Sequence, residues 1–398
     1  MKKTLIANLI LVGAIIASLY SFFLKHKTNY LVLYDIDYWM KEYSVSQLVL
    51  GGKAKHFFSD SEVYAIVGIK YISGENPAKV HPEVPPFGKL IIGLGIKIFG
   101  NENITMLIVG IAILFLTYRV CLLATLSKTT SALLIFLLSI DPLYRSLLLM
   151  PNLDLPQLFF LLLSIIYFIK GLENPRFFII SNLALGLVMA TKFYINGLIL
   201  MSVFYLFLLK NQRIKPFIAY TFSLPLLVLA YSTSYYSFFR DGGSMINFLK
   251  FQRWLTSWWA GNALVPWGGI LLIISSGWWR TWWEGAQFIR VQEWQPSWPI
   301  VITLGLLSIF ININSRKQTI FLLWMWSSLY LIFISTTSAF PRYLVALLPF
   351  SYILSAFSIR ELIILLHRSS FFINLARKLS FQEYSKIKKC QKQFPQKT

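Results

Sequence analysis

The strongest constraint on this chain is the recurrence of apolar runs close to the length of a bilayer span. A transmembrane helix needs about 20 apolar residues. Ten runs approach that length, at 4–24, 104–126, 129–143, 154–170, 176–192, 196–210, 216–236, 298–313, 319–335 and 343–366. Composition agrees: only 13% of the 398 residues are charged and 56% are hydrophobic, whereas a soluble domain carries roughly 25% charged residues. The expected fold class is an all-α polytopic membrane protein.

The net charge of +21 would suggest nucleic acid in a soluble chain. Here the basic residues sit in short connections between apolar runs, so membrane lipid is the expected partner and no nucleic acid is. Met1-Lys2-Lys3 before the first run reads as an uncleaved signal anchor with a cytoplasmic start. Alternating sides from there makes the inner connections those with Lys128, with Lys170 and Arg176, with Lys210, Arg213 and Lys215, and with Arg316 and Lys317. Every one is basic, as cytoplasmic loops are. The expected location is the cell membrane, multi-pass, with both termini cytoplasmic. Residues 1–366 form one transmembrane domain and 367–398 a basic cytoplasmic tail. Cys121 and Cys390 stand far apart on no metal spacing, so neither a disulfide nor a zinc site is expected.

Two long outer segments remain, about 25–103 and 237–297, and segments of that length are usually functional. The second packs ten of the thirteen tryptophans into 254–298. Indole prefers the headgroup level, so this loop is expected on or dipping into the outer leaflet, with a re-entrant hairpin about Pro266–Ile274. The first holds Asp60, Glu62 and Tyr64, then His81-Pro82-Glu83-Val84-Pro85-Pro86-Phe87-Gly88-Lys89. Asp60 stands before an apolar stretch, where a carboxylate caps a helix or serves as a base at the membrane surface. Three prolines in five positions forbid regular structure over 82–86. Beyond them 88–99 reads as an interfacial helix, with Lys89 and Lys97 snorkelling or Lys89 meeting a lipid-linked phosphate. Asp154, at the start of a span, is a second cap or site residue. No metal-ligand spacing stands out, and assistance by a divalent cation is left open.

Asp60-x-x-x-Tyr64, His81-x-x-x-Pro85-Pro86-x-Gly88-Lys89 and Phe99-Gly100 resemble the first lumenal loop of the GT-C glycosyltransferases related to protein O-mannosyltransferases and the lipid A aminoarabinose transferase. Asp141-Pro142-Leu143 with Leu153-Asp154, Gly186-Leu187 with Ala190-Thr191-Lys192, and Arg342-Tyr343 are similar to later pieces of that family. Two departures are visible: Ser61 stands where the family has Glu, and Glu83-Val84 splits the usual His-Pro-Pro.

The resemblance implies a GT-C helix bundle with interfacial helices in both outer loops. It implies transfer of a sugar, mannose or a related hexose or pentose, from a polyprenyl-phosphate donor to a protein, lipid or glycan acceptor. Asp60 is then the base, with Glu62 in reserve. Lys89, His81, Lys192, Arg253 and Arg342 are candidates for the donor phosphate, with Arg280 and Arg290 as further outer cations. Tyr64, Asp154 and Asp141 line the site. The alternatives are a surface-polysaccharide polymerase or ligase, and a transporter or flippase of lipid-linked sugar.

Overall fold

The computed structural model describes residues 2–262, 267–281, 287–311, 318–338 and 340–368. The basic stretch from 369 onward, with Cys390, lies outside these residues, as do Arg316, Lys317, Trp282, Trp283 and Pro266. Among the described residues the protein is helical apart from one two-stranded antiparallel ribbon, Trp278–Arg280 against Phe288–Arg290.

Each of the ten apolar runs contains helix. Six helices have the length and composition to cross a membrane, beginning at Leu5, Ile104, Asp154, Ile214, Gln318 and Leu348. Three more, Phe177–Thr191, Tyr194–Lys210 and Ser297–Ile311, are apolar but shorter. The tenth run is broken. Its helix stops at Ile140 and turns by 63° into Pro142–Leu148, where the sequence pattern predicts an unbroken span to 143. Proline disfavours helical geometry in the residue before it, and Asp141 is accordingly extended. A second proline, Pro225, marks the join between Ile214–Phe222 and Leu224–Thr233. The Asn182 amide on the neighbouring helix donates to Tyr220 O at 3.3 Å and to Ser223 Oγ at 2.6 Å there. Polar groups loosened by a proline inside an apolar bundle need such a neighbour.

The segment 25–103 is a layer of short helices. Its two longest, Asp60–Ile72 and Phe87–Phe99, pack against each other, with the proline-rich turn between them. The crossing is backbone to backbone. A Cβ on Gly93 would overlap the Gly68 carbonyl, and one on Gly68 would strike Lys89 O and the Gly93 amide. Two glycines permit that approach, and it sets where Asp60 stands relative to the turn. Asp60–Ile72 is an embedded helix, with Val63 to Ile69 and Tyr71 all buried. Lys97 is exposed, as a snorkelling lysine should be, but Lys89 is fully buried.

The aromatic segment holds the end of the short helix Tyr236–Arg240, then Met245–Asn262, Gly269–Ser276 and the ribbon. Its tryptophans do two jobs. Trp267 is 82% exposed, while Trp298 is buried and Trp294 Nε1 donates to Ile274 O at 3.0 Å.

Substituting Gly93→Ala forces a methyl group into the Gly68 carbonyl, an overpacking expected to cost about 1–3 kcal/mol. A detergent-solubilised thermal melt should show a clear loss of stability. Gly52→Ala, with open space around it, should leave the melt unchanged.

Candidate active site

Four charged side chains from distant parts of the chain meet at one end of the bundle. Asp60 begins Asp60–Ile72, Asp154 begins Asp154–Gly171, Lys192 links Phe177–Thr191 to Tyr194–Lys210, and Arg342 lies in the 3-10 turn before Leu348–Arg368. Lys192 Nζ is 2.5 Å from Asp154 Oδ1. The Arg342 guanidinium pairs with Asp60 through one terminal nitrogen and places its Nε 3.4 Å from Asp154 Oδ2. The result is a chain of alternating sign: Asp60, Arg342, Asp154, Lys192.

Local sequence explains why both carboxylates are available. The expectation that Asp60 caps its helix is corrected by Ser59, which occupies that position in a capping box. Glu62 turns back to accept from Ser59 N and Ser59 Oγ, each at 2.7 Å. The reserve base is therefore engaged in closing the helix start, as the box geometry requires, and Asp60 points elsewhere. Asn152 does a similar service for Asp154, accepting from its backbone N–H at 3.0 Å.

Aromatic rings wall the cluster. Lys192 Nζ sits 3.9 Å from the centre of the Tyr343 ring, and Arg342 lies over Phe340 at 4.3 Å. Tyr330 donates to Tyr343 O at 2.9 Å, fixing the ring that carries Lys192. Tyr64 is buried beside Asp60 and Arg342, and burial, reinforced by Asp60, pushes its phenol well above the usual tyrosine range. Burial also lowers Lys192, to about 8, against the opposing pull of Asp154. Arg342 feels the same desolvation, but Asp154, Tyr64 and Asp60 outweigh it and raise its pKa. Side-chain exposure ranks the members: Asp154 6%, Lys192 12%, Arg342 18% and Asp60 47%. Asp60 is thus the accessible end of the chain.

The other residues singled out by sequence fall elsewhere. Lys89 neither snorkels nor joins the charged chain. Its ammonium donates to Val84 O at 2.7 Å and to His81 Nδ1 at 3.0 Å. Burial drives both groups down, Lys89 well below the lysine range and His81 well below 6.5, with the Lys89 charge adding to the latter. This pair pins the proline turn. Asp141 is also separate: it caps Pro142–Leu148 through Leu143 N at 3.0 Å and Tyr144 N at 3.2 Å. Its other oxygen accepts from Trp298 Nε1 at 3.0 Å and Tyr352 OH at 3.3 Å. Arg253 is exposed on the outward face of its helix. Arg290 lies between Trp278 and Trp294 on the ribbon that also carries Arg280. Among the described residues no three His, Cys, Asp or Glu side chains gather in a metal-binding group.

Sequence reasoning passed over two contributors. Glu83, in the split motif, has its carboxyl raised by burial and by Asp60, with Lys89 opposing. Its carbonyl accepts from Trp259 Nε1 at 2.8 Å, which ties the aromatic segment to the proline turn. Tyr343 was visible only as the neighbour of Arg342. The signal for it was an Arg between aromatics after a proline, Phe340-Pro341-Arg342-Tyr343.

Asp154→Asn leaves Lys192 and Arg342 as buried like charges, and loss of a buried partner costs about 3–5 kcal/mol. Asp60→Asn breaks a half-exposed pair worth about 1 kcal/mol or less. Unfolding measurements on the two purified variants should differ accordingly.

Residues 83–236 match the family described as dolichyl-phosphate-mannose-protein mannosyltransferase. That stretch contains Lys89, Asp141, Asp154 and Lys192, while Asp60 and Arg342 lie on either side of it. No curated protein sequence matches. Among solved structures, the chain is similar to ArnT from Cupriavidus metallidurans bound to undecaprenyl phosphate, with a TM-score of 0.57 and 15% identity. The alignment covers 76% of this chain and 56% of that one. The apo form of the same ArnT gives a TM-score of 0.50 at 15% identity, over 76% and 55% of the two chains. The chain therefore spans little more than half the length of the protein it resembles. Its fold is similar to that of the ArnT membrane protein, and residues 83–236 are similar to the dolichyl-phosphate-mannose-protein mannosyltransferase family.

Proposed function

We propose that this protein transfers a sugar from a polyprenyl-phosphate donor to an acceptor hydroxyl on the outer face of the membrane. The observation that carries the reading is the alternating chain of Asp60, Arg342, Asp154 and Lys192, whose accessible end is a carboxylate and whose more buried part holds two cations about Asp154. The undecaprenyl phosphate named with the ArnT structure supports the donor class, and the mannosyltransferase domain supports mannose or a related sugar.

The chemistry needs a base for the acceptor proton and cations for the departing phosphate. Asp60 takes the proton as the acceptor oxygen bonds to the anomeric carbon. The bond from that carbon to the phosphate oxygen breaks on the opposite face, inverting the centre, and its electron pair leaves with the lipid phosphate. Charge grows on phosphate in this step, so fixed cations stabilise it. Arg342 and Lys192 supply them. Arg342 holds Asp60. An incoming phosphate competes for that guanidinium, a group suited to either anion, and so uncovers the base as the donor binds. Asp154 keeps both cations in place, and the scheme calls for no cofactor beyond the lipid-linked donor. A polymerase or ligase would use the same donor chemistry with a glycan acceptor. A transporter would move labelled lipid-linked sugar across vesicles with no acceptor present.

Asp60→Asn in folded, purified protein is expected to lower transfer by about 10²–10⁴-fold, the usual worth of a general base, while donor binding survives. Near-normal turnover by this variant would overturn the assignment. Glu62→Gln should weaken the helix start by about 1 kcal/mol and keep turnover.

Donor binding should also depend on pH. Lys192 faces Asp154, Arg342, Asp60 and the Tyr343 ring, and it is charged below about 8. Affinity for the anionic donor is therefore greatest below that pH and falls as pH rises through it. Lys192→Arg should carry high affinity to more alkaline pH in a binding titration.

A further inference from the structure

Lys192 stands at a break in the bundle. Phe177–Thr191 ends just before it and Tyr194–Lys210 begins just beyond Phe193. Lys192 itself is non-helical, with φ −136° and ψ −116°. Such a break frees carbonyls that an unbroken helix would have used. Val188 lies four residues before Lys192, so its carbonyl is the one that the Lys192 N–H would have met in a continuous helix. Buried in an apolar bundle, a freed carbonyl needs another partner.

Gln157 supplies it. Its Nε2 donates to Val188 O at 3.2 Å and to Phe193 O at 3.5 Å, on the two sides of Lys192. A primary amide has two N–H donors, so both carbonyls are served at once. Its Oε1 accepts from Asn196 Nδ2 at 2.7 Å, on the helix beyond the break. Gln157 and Asn196 are both buried. The partners fix which way the Gln157 amide is turned, because a carbonyl can be met only by its nitrogen end. Gln157 is three residues after Asp154, and residues so spaced share a helix face. That face therefore holds Lys192 by its ammonium, through Asp154 at 2.5 Å, and by the backbone before and after it, through Gln157.

We propose that Gln157 is a positioning residue for Lys192, clamping the break so that the ammonium is kept on Asp154, beside Arg342, where a departing phosphate can meet it. This role rests on Lys192 being the donor-phosphate cation of the proposed function. A lysine carries its charge on a flexible four-carbon stem, and Asp154 restrains only the tip. With the backbone held on both sides, the stem starts from one place, and a charge fixed in advance is what stabilises an anion as it develops. A second polar contact joins the same two helices further from the break. Ser164 Oγ donates to Ser181 O at 3.0 Å and Ser181 Oγ to Ser164 O at 2.9 Å. It touches neither Lys192 nor its flanking carbonyls.

The test follows the Lys192 ammonium directly, by NMR titration of the full chain in detergent, isotope-labelled at the lysine Cε. The Lys192 resonance is assigned by its loss in Lys192→Arg. Burial holds this lysine at about 8, with Arg342 lowering it further and Asp154 and Asp60 opposing, and the Tyr343 ring faces it as well. Gln157→Leu keeps most of the bulk and removes the amide. Released from its dry seat, Lys192 should titrate about one pH unit higher, towards the ordinary lysine value. Ser164→Ala removes a bond between the same helices and should leave the Lys192 titration where it is. An unmoved Lys192 in folded Gln157→Leu would overturn the proposal. So would an equal shift in Ser164→Ala, because any loosening of the pair would then suffice. Should Gln157→Leu not fold, Asn196→Ala releases the far end of the Gln157 amide, and the same upward shift is required of it. Polyprenyl phosphate titrated into the same samples near neutral pH separates this role from the donor reading. Gln157→Leu should bind it about tenfold more weakly than the unaltered protein, the loss of one charge-assisted contact, and equal affinity would overturn the positioning role. Absence of binding by the unaltered protein overturns the donor reading instead, while the Lys192 shift still reports the clamp.

Discussion

Asp154 is a nearly buried carboxylate shared between two cations, and the arrangement of this end of the molecule depends on it. Lys192 at 2.5 Å and Arg342 at 3.4 Å approach it from different helices. Neither cation would stay in so dry a place without a counter-charge, because desolvation of an isolated ion costs several kcal/mol. Tyr343 and Phe340 give the cations aromatic faces as well. The turn before the last helix, the join at Lys192 and the start of the Asp154 helix are thus drawn to one point. Asp60 is attached last, through a guanidinium already oriented from below.

The neighbouring polar residues keep that point clear. Ser59 with Glu62, and Asn152, satisfy the helix starts that Asp60 and Asp154 would otherwise be expected to cap. Beside them, Lys89 and His81 lock the proline turn from within, both pushed towards neutrality by burial. Trp259 secures the same turn from the aromatic segment. Two layers of uncharged or weakly charged contacts thereby hold the frame, leaving the strong charges to each other.

Much of this was legible in the sequence, and the limits have physical causes. Apolar runs of span length announced the bundle, because nothing else in a chain tolerates so little charge. Asp60 and Asp154 were named as carboxylates at the starts of apolar helices, and Lys192 and Arg342 through the pieces they share with the family the sequence resembles. What failed was direction. Lys89 follows a polar turn and reads as a snorkelling cation, yet the Gly68–Gly93 crossing draws its helix so close that the ammonium is swallowed. Asp141 reads as an outer-loop acid, but the adjoining Pro142 breaks the helix and turns the carboxylate into a cap. Arg253 shares a helix with Gln252 and Trp259, which are part-buried and bond to neighbouring elements, and one residue of phase from Gln252 leaves it exposed. Such outcomes depend on three-dimensional crossing and helical phase, which residue type does not encode.

The order in which the polypeptide is made gives the charged cluster one further meaning. Asp60 emerges early and Arg342 only after nine of the ten apolar runs have been laid down. During biogenesis the two acids wait for their partner, and a half-inserted chain holds carboxylates with no guanidinium between them. The clasp between them can close only once Arg342 is present, so the two carboxylates are joined by the part of this sequence that is made later than either.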